Sequence, residues 1–255
     1  ALAHNIPVYH PEKIKNNPEA LELLRSHEPD FFAVVAYGKI LPKEILEIPK
    51  YAPVNVHFSL LPLYRGAAPV NLAIYNGDEY TGVSTMKMGI GMDDGDILLT
   101  ERTPIERKNA LMIAEELSVT GADLLLKTFD SYDTLTPQVQ EHDKATMAPM
   151  MSKQDGLIDW RKDAAHIERM IRAFMPWPGV YTHLDGKLLK VFAADVDENA
   201  SETPGTVYSI GKDHFSVATS QGGLIIKELQ LEGKRRMDAA GFLAGYKLQL
   251  GNKIG

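Results

Sequence analysis

The sequence predicts an α/β protein in two parts, a mostly parallel sheet flanked by helices followed by a small all-β body. Three observations carry that prediction. Apolar β-like runs alternate with helical patterns between residues 18 and 129, short β-like runs crowd residues 180 to 229, and a polar stretch with two prolines, Thr134 to Ser152, lies between them. With 255 residues the chain also reaches the length at which one hydrophobic core gives way to two, roughly 250 residues.

Taken in order, Pro18 to Ser26 reads as a helix, Phe31 to Ala36 as a strand, Pro42 to Glu47 as a helix, Val54 to His57 as a strand and Ala68 to Tyr75 as a helix. Such βα alternation implies a parallel sheet, because parallel neighbours need a crossover connection. Gly82 to Met88 and Asp96 to Glu101 add two strands around the Gly89 to Gly95 loop. Ala110 to Phe129 is a long amphipathic helix with Leu111, Ile113, Leu117 and Leu124 to Leu126 assigned to its apolar side. Beyond the connector, Asp159 to Phe174 reads as a helix stopped by Pro176-Trp177-Pro178-Gly179, a turn expected to be packed. Val180 to Leu184, Leu188 to Ala193, Gly205 to Ile210, Phe215 to Thr219 and Leu224 to Leu229 then give short strands, spaced as in a small barrel or sandwich.

Composition excludes several function classes. Hydrophobic residues make up 44% and charged residues 24%, ordinary for a globular protein, and no apolar run approaches the roughly 20 residues of a membrane span. A cytoplasmic protein with no membrane partner is the expectation. Zero cysteines exclude disulfides, thiolate metal sites and cysteine nucleophiles, and the eight histidines form no His-Glu-x-x-His or His-x-His pair, so no metal is expected. The net charge of −7 is unevenly placed: residues 1 to 146 hold 13 Lys and Arg against 21 Asp and Glu, and residues 147 to 255 hold 14 against 13. The second part is therefore free of the acidity that would oppose contact with phosphates.

The chemistry concentrates in Asn55-Val56-His57-Phe58-Ser59-Leu60-Leu61-Pro62, closed by Arg65-Gly66 and followed by Met92-Asp93-Asp94-Gly95-Asp96. Val54, Val56 and Phe58 alternate with Asn55, His57 and Ser59, so one face of a strand carries the polar groups to its carboxyl end, where open α/β sheets place their ligands. Pro62 ends that strand, since it cannot donate to a ladder. Other readings of these stretches fail. Gly89-Ile90-Gly91 has Asp94 where a dinucleotide fingerprint needs glycine, and a strand rather than a helix follows it. The acidic run around Asp94 and Asp96 lacks the alternating ligands and closing glutamate of a calcium loop, and Ser59 has no glycine-flanked elbow.

His57, Ser59, Leu60, Leu61, Pro62 and Gly66 form a His-x-Ser-Leu-Leu-Pro-x-x-x-Gly pattern that resembles the folate-site signature of the 10-formyltetrahydrofolate-dependent formyltransferases. Val34-Val35-Ala36-Tyr37-Gly38, Arg65-Gly66-Ala67-Ala68-Pro69, Arg172-Ala173-Phe174-Met175-Pro176-Trp177-Pro178 and Leu231-Glu232-Gly233-Lys234-Arg235-Arg236-Met237 are similar to the methionyl-tRNA branch of that family. The resemblance spans essentially the whole chain. It implies a Rossmann-like catalytic domain at residues 1–137, a linker at 138–153 and an oligonucleotide-binding-like (OB-like) β-barrel at 154–255 that contacts tRNA. It also implies that roughly two opening units of the doubly wound sheet, and a loop that in the family touches the tRNA acceptor end, precede Ala1.

Formyl transfer between nitrogens needs a neutral amine nucleophile, a donor for the oxyanion and a proton for the departing nitrogen. The resemblance assigns these tasks to Asn55, His57 and Asp93, while the acidic run itself reads with Asp94 as turn chemistry and Asp96 as a cap or support of the loop. It assigns the folate to Ser59, Leu60, Leu61, Pro62, Tyr37 and Gly38, and phosphate contacts to Lys234, Arg235 and Arg236. The implied substrates are 10-formyltetrahydrofolate and methionyl initiator tRNA, bound by a monomer. Three related activities share the core: formylation of a nucleotide-sugar amine, formylation of glycinamide ribonucleotide, and hydrolysis of formyltetrahydrofolate. A non-catalytic RNA-binding protein on a decayed fold is the rival of another class.

Overall fold

The computed structural model describes residues 1–255. The chain divides into two compact units, the first comprising Ala1–Arg65, Val83–Glu101 and Thr120–Thr146, the second Gly66–Gly82, Arg102–Val119 and Met147–Gly255. In chain order the elements are α1 (Pro18–Ser26), β1 (Phe31–Val35), α2 (Lys43–Leu46), β2 (Ala52–His57), β3 (Arg65–Gly66), α3 (Pro69–Asn76), β4 (Tyr80–Lys87), β5 (Ile97–Pro104), α4 (Ala110–Ser131), β6 (Met147–Ala148), α5 (Ala164–Ala173), β7 (Val180–Leu184), β8 (Lys187–Asp197), β9 (Val207–Ile210), β10 (Phe215–Ala218), β11 (Gly223–Leu231), β12 (Met237–Asp238) and α6 (Ala239–Gly245). No helix is long and apolar enough to cross a membrane.

The first unit is organised by a sheet of order β1-β2-β4-β5. β1 and β2 pair in parallel, Val34 opposite Asn55 and Val35 opposite Val56, with α2 in the crossover between them. β2 and β4 pair antiparallel, placing His57 opposite Ser84 and Asn55 opposite Met86. The sheet is thus mixed, its parallel character residing in the β1–β2 crossover, as in doubly wound sheets that carry antiparallel strands toward an edge. Every residue of β2 is buried, which its place between two neighbours requires.

Local chemistry sets the helix boundaries. Asn17 caps α1 through a hydrogen bond from Ala20 N to its side-chain oxygen (3.0 Å), and Pro18 occupies the first helical position, where its missing N–H costs nothing. In α4 the buried stripe is Ala110, Ile113, Leu117, Gly121, Leu124 and Thr128. Leu111 and Leu126, which the sequence assigned to the apolar side, are half or more exposed, because at about 100° per residue they fall well outside that stripe. Gly121 is needed where α4 meets β2, since a Cβ there would stand 2.9 Å from Val56 Cγ1. Fully burying a side chain such as Ile113 or Leu117 stabilises the fold by about 1.5–3 kcal/mol.

The second unit is built on an antiparallel sheet of order β7-β8-β11-β10-β9, with β12 pairing β11. Its hydrogen-bonded path is open, so the strands form an open antiparallel sheet rather than a closed barrel. Phe215, Leu224, Ile226, Leu229 and Val207 fill its core, and Phe242 of α6 packs on Phe215 with ring centroids 5.8 Å apart. α5 begins at Ala164, later than the sequence pattern suggested. Asp163 caps it by accepting from His166 N at 2.7 Å, while Asp159 is held in a separate turn by Arg161. Trp177 is 56% exposed, so the turn expected to be packed presents its ring to solvent.

Candidate active site

The alternation of β2 determines where its side chains go. Asn55 and His57 share one face, two residues apart, and both are buried at the carboxyl end of the strand. The loop between β4 and β5 brings Asp93 to them. Asn55 Nδ2 donates to Asp93 Oδ1 at 3.4 Å, and His57 Nδ1 lies 3.6 Å from Asp93 Oδ2. The amide, the imidazole and the carboxylate picked out in the sequence, 38 residues apart at the extremes, therefore meet.

The imidazole is held from both sides. His57 Nε2 lies 2.9 Å from the carbonyl oxygen of Tyr64. A carbonyl only accepts, so Nε2 carries the hydrogen and Nδ1 is the nitrogen turned toward Asp93. The separation of 3.6 Å exceeds a direct hydrogen bond but is within ion-pair range, so a proton arriving at Nδ1 is stabilised by the carboxylate.

Loop geometry explains why Asp93 is available. Its φ is +49°, the left-handed region that a short polar side chain tolerates. Gly95 is required two residues on, because a Cβ there would lie 1.8 Å from the carbonyl oxygen of Lys87. Lys87 N also donates to Asp96 O at 2.9 Å, closing the loop at its base.

The segment assigned to the folate is braced internally. Ser59 Oγ donates to Leu63 O at 2.6 Å, Ser84 Oγ donates to Ser59 O at 2.8 Å, Leu61 N donates to Ser84 Oγ at 3.2 Å, and Leu63 N donates to Leu60 O at 3.1 Å. Leu61 packs with Met86 and Ile97 in the core, and Leu60 and Pro62 are half-buried. Ser59 thus shapes the loop, and the surface this segment turns outward is mainly apolar. Tyr37 and Gly38 follow the end of β1; with Val35 opposite Val56 in parallel register, they sit at the same sheet edge as His57. Tyr37 is exposed.

Lys234, Arg235 and Arg236 lie elsewhere, on the exposed turn between β11 and β12. Arg236 is engaged within the fold. Its Nε and Nη2 bind Glu228 at 2.7 and 2.6 Å, and its guanidinium lies 4.2 Å over the Phe192 ring.

The residue that sequence reading missed is Gln140, buried in what looked like a polar connector. Its Nε2 donates to the carbonyls of Asp93 (2.9 Å) and Gly95 (2.6 Å), and its Oε1 accepts from Arg65 Nε (3.1 Å) and Nη2 (2.7 Å). A lone glutamine among prolines and acids carries no periodic signal, so only the fold reveals it.

Fold and site together define a two-domain formyl transferase. A formyl transferase family model matches residues 4–118, and one for the formyl transferase C-terminal domain matches residues 150–247. A methionyl-tRNA formyltransferase of Citrifermentans bemidjiense is 49% identical over an alignment spanning all of this chain and 80% of that protein, and one of Lachnospira eligens is 43% identical, spanning all of this chain and 84% of that protein. The chain belongs to the methionyl-tRNA formyltransferase family. Solved structures share the fold at lower identity. The methionyl-tRNA formyltransferase from Clostridium thermocellum matches with TM-score 0.59 at 21% identity over 72% of this chain and 81% of its own. HypX from Aquifex aeolicus, solved with tetrahydrofolic acid, matches with TM-score 0.66 at 18% identity over 91% of this chain and 44% of its own.

Proposed function

We propose that this protein transfers the formyl group of 10-formyltetrahydrofolate to the α-amine of methionyl initiator tRNA, with Asn55, His57 and Asp93 as its catalytic residues. The observation that carries the reading is their convergence at the end of β2, in a chain whose relatives at 41–49% identity are named methionyl-tRNA formyltransferases.

The acceptor amine attacks the formyl carbon, its carbonyl becomes an oxyanion, and collapse releases the folate nitrogen. Asn55 Nδ2 carries two N–H groups, one spent on a long contact with Asp93, and supplies a donor to the oxyanion. Asp93 takes the proton that the attacking amine sheds, through a water. Asp93 passes that proton to His57 Nδ1, which is set against it, and the imidazolium delivers it from Nδ1 to the departing nitrogen, so that both groups return to their starting state. The ester lowers the acceptor's pKa below the roughly 7.7–8.0 of an ordinary α-amine, so much of it is neutral near pH 7 and modest base strength suffices. The folate fits the apolar surface of Leu60 and Pro62, beside Ser59 and Leu61, with Tyr37 and Gly38 at the same sheet edge.

The catalytic domain is 1–137, the linker 138–153 and the tRNA-contacting domain 154–255, a division supported by the separate family matches at 4–118 and 150–247. All three catalytic residues come from one chain, which suits a monomer. Lys234 and Arg235 are the phosphate contacts this reading favours. The test is formylation of methionyl initiator tRNA by the full-length protein, beside His57→Ala and with a nucleotide-sugar amine as competing acceptor. Formylated tRNA from wild type alone supports the assignment, whereas formylation of the sugar alone overturns the acceptor.

A further inference from the structure

We propose that Gln140 is a positioning residue for the reaction, acting through Asp93. The inference rests on the formyl-transfer reading above and adds to it a side chain that touches no substrate. Its amide makes four hydrogen bonds, the full capacity of its N–H groups and oxygen lone pairs: two donated to the carbonyls of Asp93 and Gly95, two accepted from Arg65. Neither end can be exchanged. The guanidinium only donates and the carbonyls only accept, so the amide has one orientation, and a carboxylate of the same shape would turn an oxygen toward two carbonyls.

The places these bonds reach give them meaning. Asp93 has φ +49°, and its peptide could rotate toward commoner geometry and carry the carboxylate off His57. Gln140 grips the chain at Asp93 and again two residues on. At its other end it grips Arg65, which directly follows Tyr64, the residue whose carbonyl fixes His57 Nε2. Arg65 N is tied in turn to Thr146 O at 2.8 Å. The Arg65–Gln140 pair therefore joins the two walls that hold the imidazole, the Tyr64 carbonyl on one side and the Asp93 carboxylate on the other. Gln140 is itself placed by its neighbour Gln138, whose backbone exchanges two hydrogen bonds of 2.8 Å with Ile97 at the start of β5.

The experiment measures kcat and KM for both substrates in Gln140→Ala, Gln140→Glu, Asp93→Asn and the Asp93→Asn/Gln140→Ala double variant, with thermal melts of each. Displacing a reacting group by an ångström costs up to about 10²-fold, so Gln140→Ala should lose about 10- to 100-fold in kcat with both KM values within about threefold of wild type. In the Asp93→Asn background the same change should cost less than about twofold, since the group it positions is already gone. Gln140→Glu keeps a partner for Arg65 but cannot donate to the carbonyls, and should fall with the alanine variant. A Gln140→Ala enzyme within twofold of wild type, a full further loss in the Asp93→Asn background, or a Gln140→Glu enzyme at wild-type rate would each overturn the proposal. So would failure of both Gln140 variants to fold, which assigns the side chain to stability alone. Should wild type leave methionyl-tRNA untouched, the acceptor reading falls separately, and the same four variants decide the role of Gln140 on whatever formyl transfer or hydrolysis the protein performs.

Discussion

The polar groups around His57 and those around Arg236 are built on opposite plans. Around His57 the groups are buried, or in the case of Asp93 largely so, and are linked in a chain: Asn55 and His57 to Asp93, His57 to Tyr64, Asp93 to Gln140, Gln140 to Arg65. Around Arg236 the groups are exposed or half-exposed and held by ion pairs at the surface, Arg236 with Glu228 and, further along the sheet, Asp195 with Arg107 at 3.2 Å and Lys227 at 4.0 Å. Buried polar groups left unpaired are costly, so the first plan fixes geometry, whereas exposed pairs contribute little and leave their members exchangeable. On the function proposed above, the first plan suits a site that must hold a transition state, and the second suits a surface that must meet a phosphate backbone.

The sharpest break in the comparison is to remove a member of the buried network. Asn55→Ala should lower kcat by about 10²–10³, the cost of one oxyanion donor, with a smaller change in KM, read in single-turnover formylation. Next in size is Gly95→Ala, which touches no catalytic group. The new Cβ would meet the Lys87 carbonyl at 1.8 Å, a backbone atom that cannot swing aside, so the loop bearing Asp93 must shift. An expected loss of about 10- to 100-fold in kcat, with little change in melting temperature, would show that loop geometry rather than fold stability carries the rate. An unchanged kcat would mean the loop is less constrained than its hydrogen bonds imply.

The same contrast explains what could be read from the sequence. β2 and its polar face were legible because alternation and Pro62 both point to a strand that ends at a site, and α1 because Pro18 to Ser26 carries a helical pattern. The Gly89 to Gly95 loop was legible as a break between two strand-like runs, and Asp93 was picked out in it by resemblance to the formyltransferases. Gln140 was not, since its role depends on a chain reversal that returns residue 138 to Ile97, and nothing local encodes that. Leu111 and Leu126 misled because apolarity was weighed without the angle around the helix. The open sheet of the second unit, read from strand spacing as a barrel or sandwich, shows the same limit: spacing predicts that strands are short and adjacent, and pairing decides whether they close.

One pair in the second unit falls between the two plans. His166 Nε2 lies 2.9 Å from the Tyr75 hydroxyl, and the two half-buried rings meet edge to face at 4.6 Å. Burial, and then the charge of Arg169, hold the His166 pKa below its ordinary 6.5. The unfolded chain therefore binds the proton more readily than the folded one. Stability present above pH 6.5 is lost as pH falls through that value toward the lower folded pKa. Melting temperature followed from pH 7.5 to 5 should drop more steeply for wild type than for His166→Gln, and parallel curves would show that the ring titrates freely.

The smallest effect concerns the exposed turn, and it separates residues that look alike in sequence. Lys234 and Arg235 have no ion-pair partner, whereas Arg236 is bound bidentately to Glu228 and stacked on Phe192. A phosphate can take Lys234 or Arg235 directly, but it must displace Glu228 to take Arg236. Each phosphate neutralised contributes about −0.9 to the slope of log affinity on log salt for duplex nucleic acid. Lys234→Ala and Arg235→Ala should each make the slope for tRNA binding shallower by about that amount, while Arg236→Ala leaves it nearly unchanged and instead loosens the contact between β11 and β12. Equal changes at all three positions would show that Arg236 leaves Glu228 when tRNA binds, and the distinction between fixed and exchangeable pairs would fail at the residue where it was drawn most sharply.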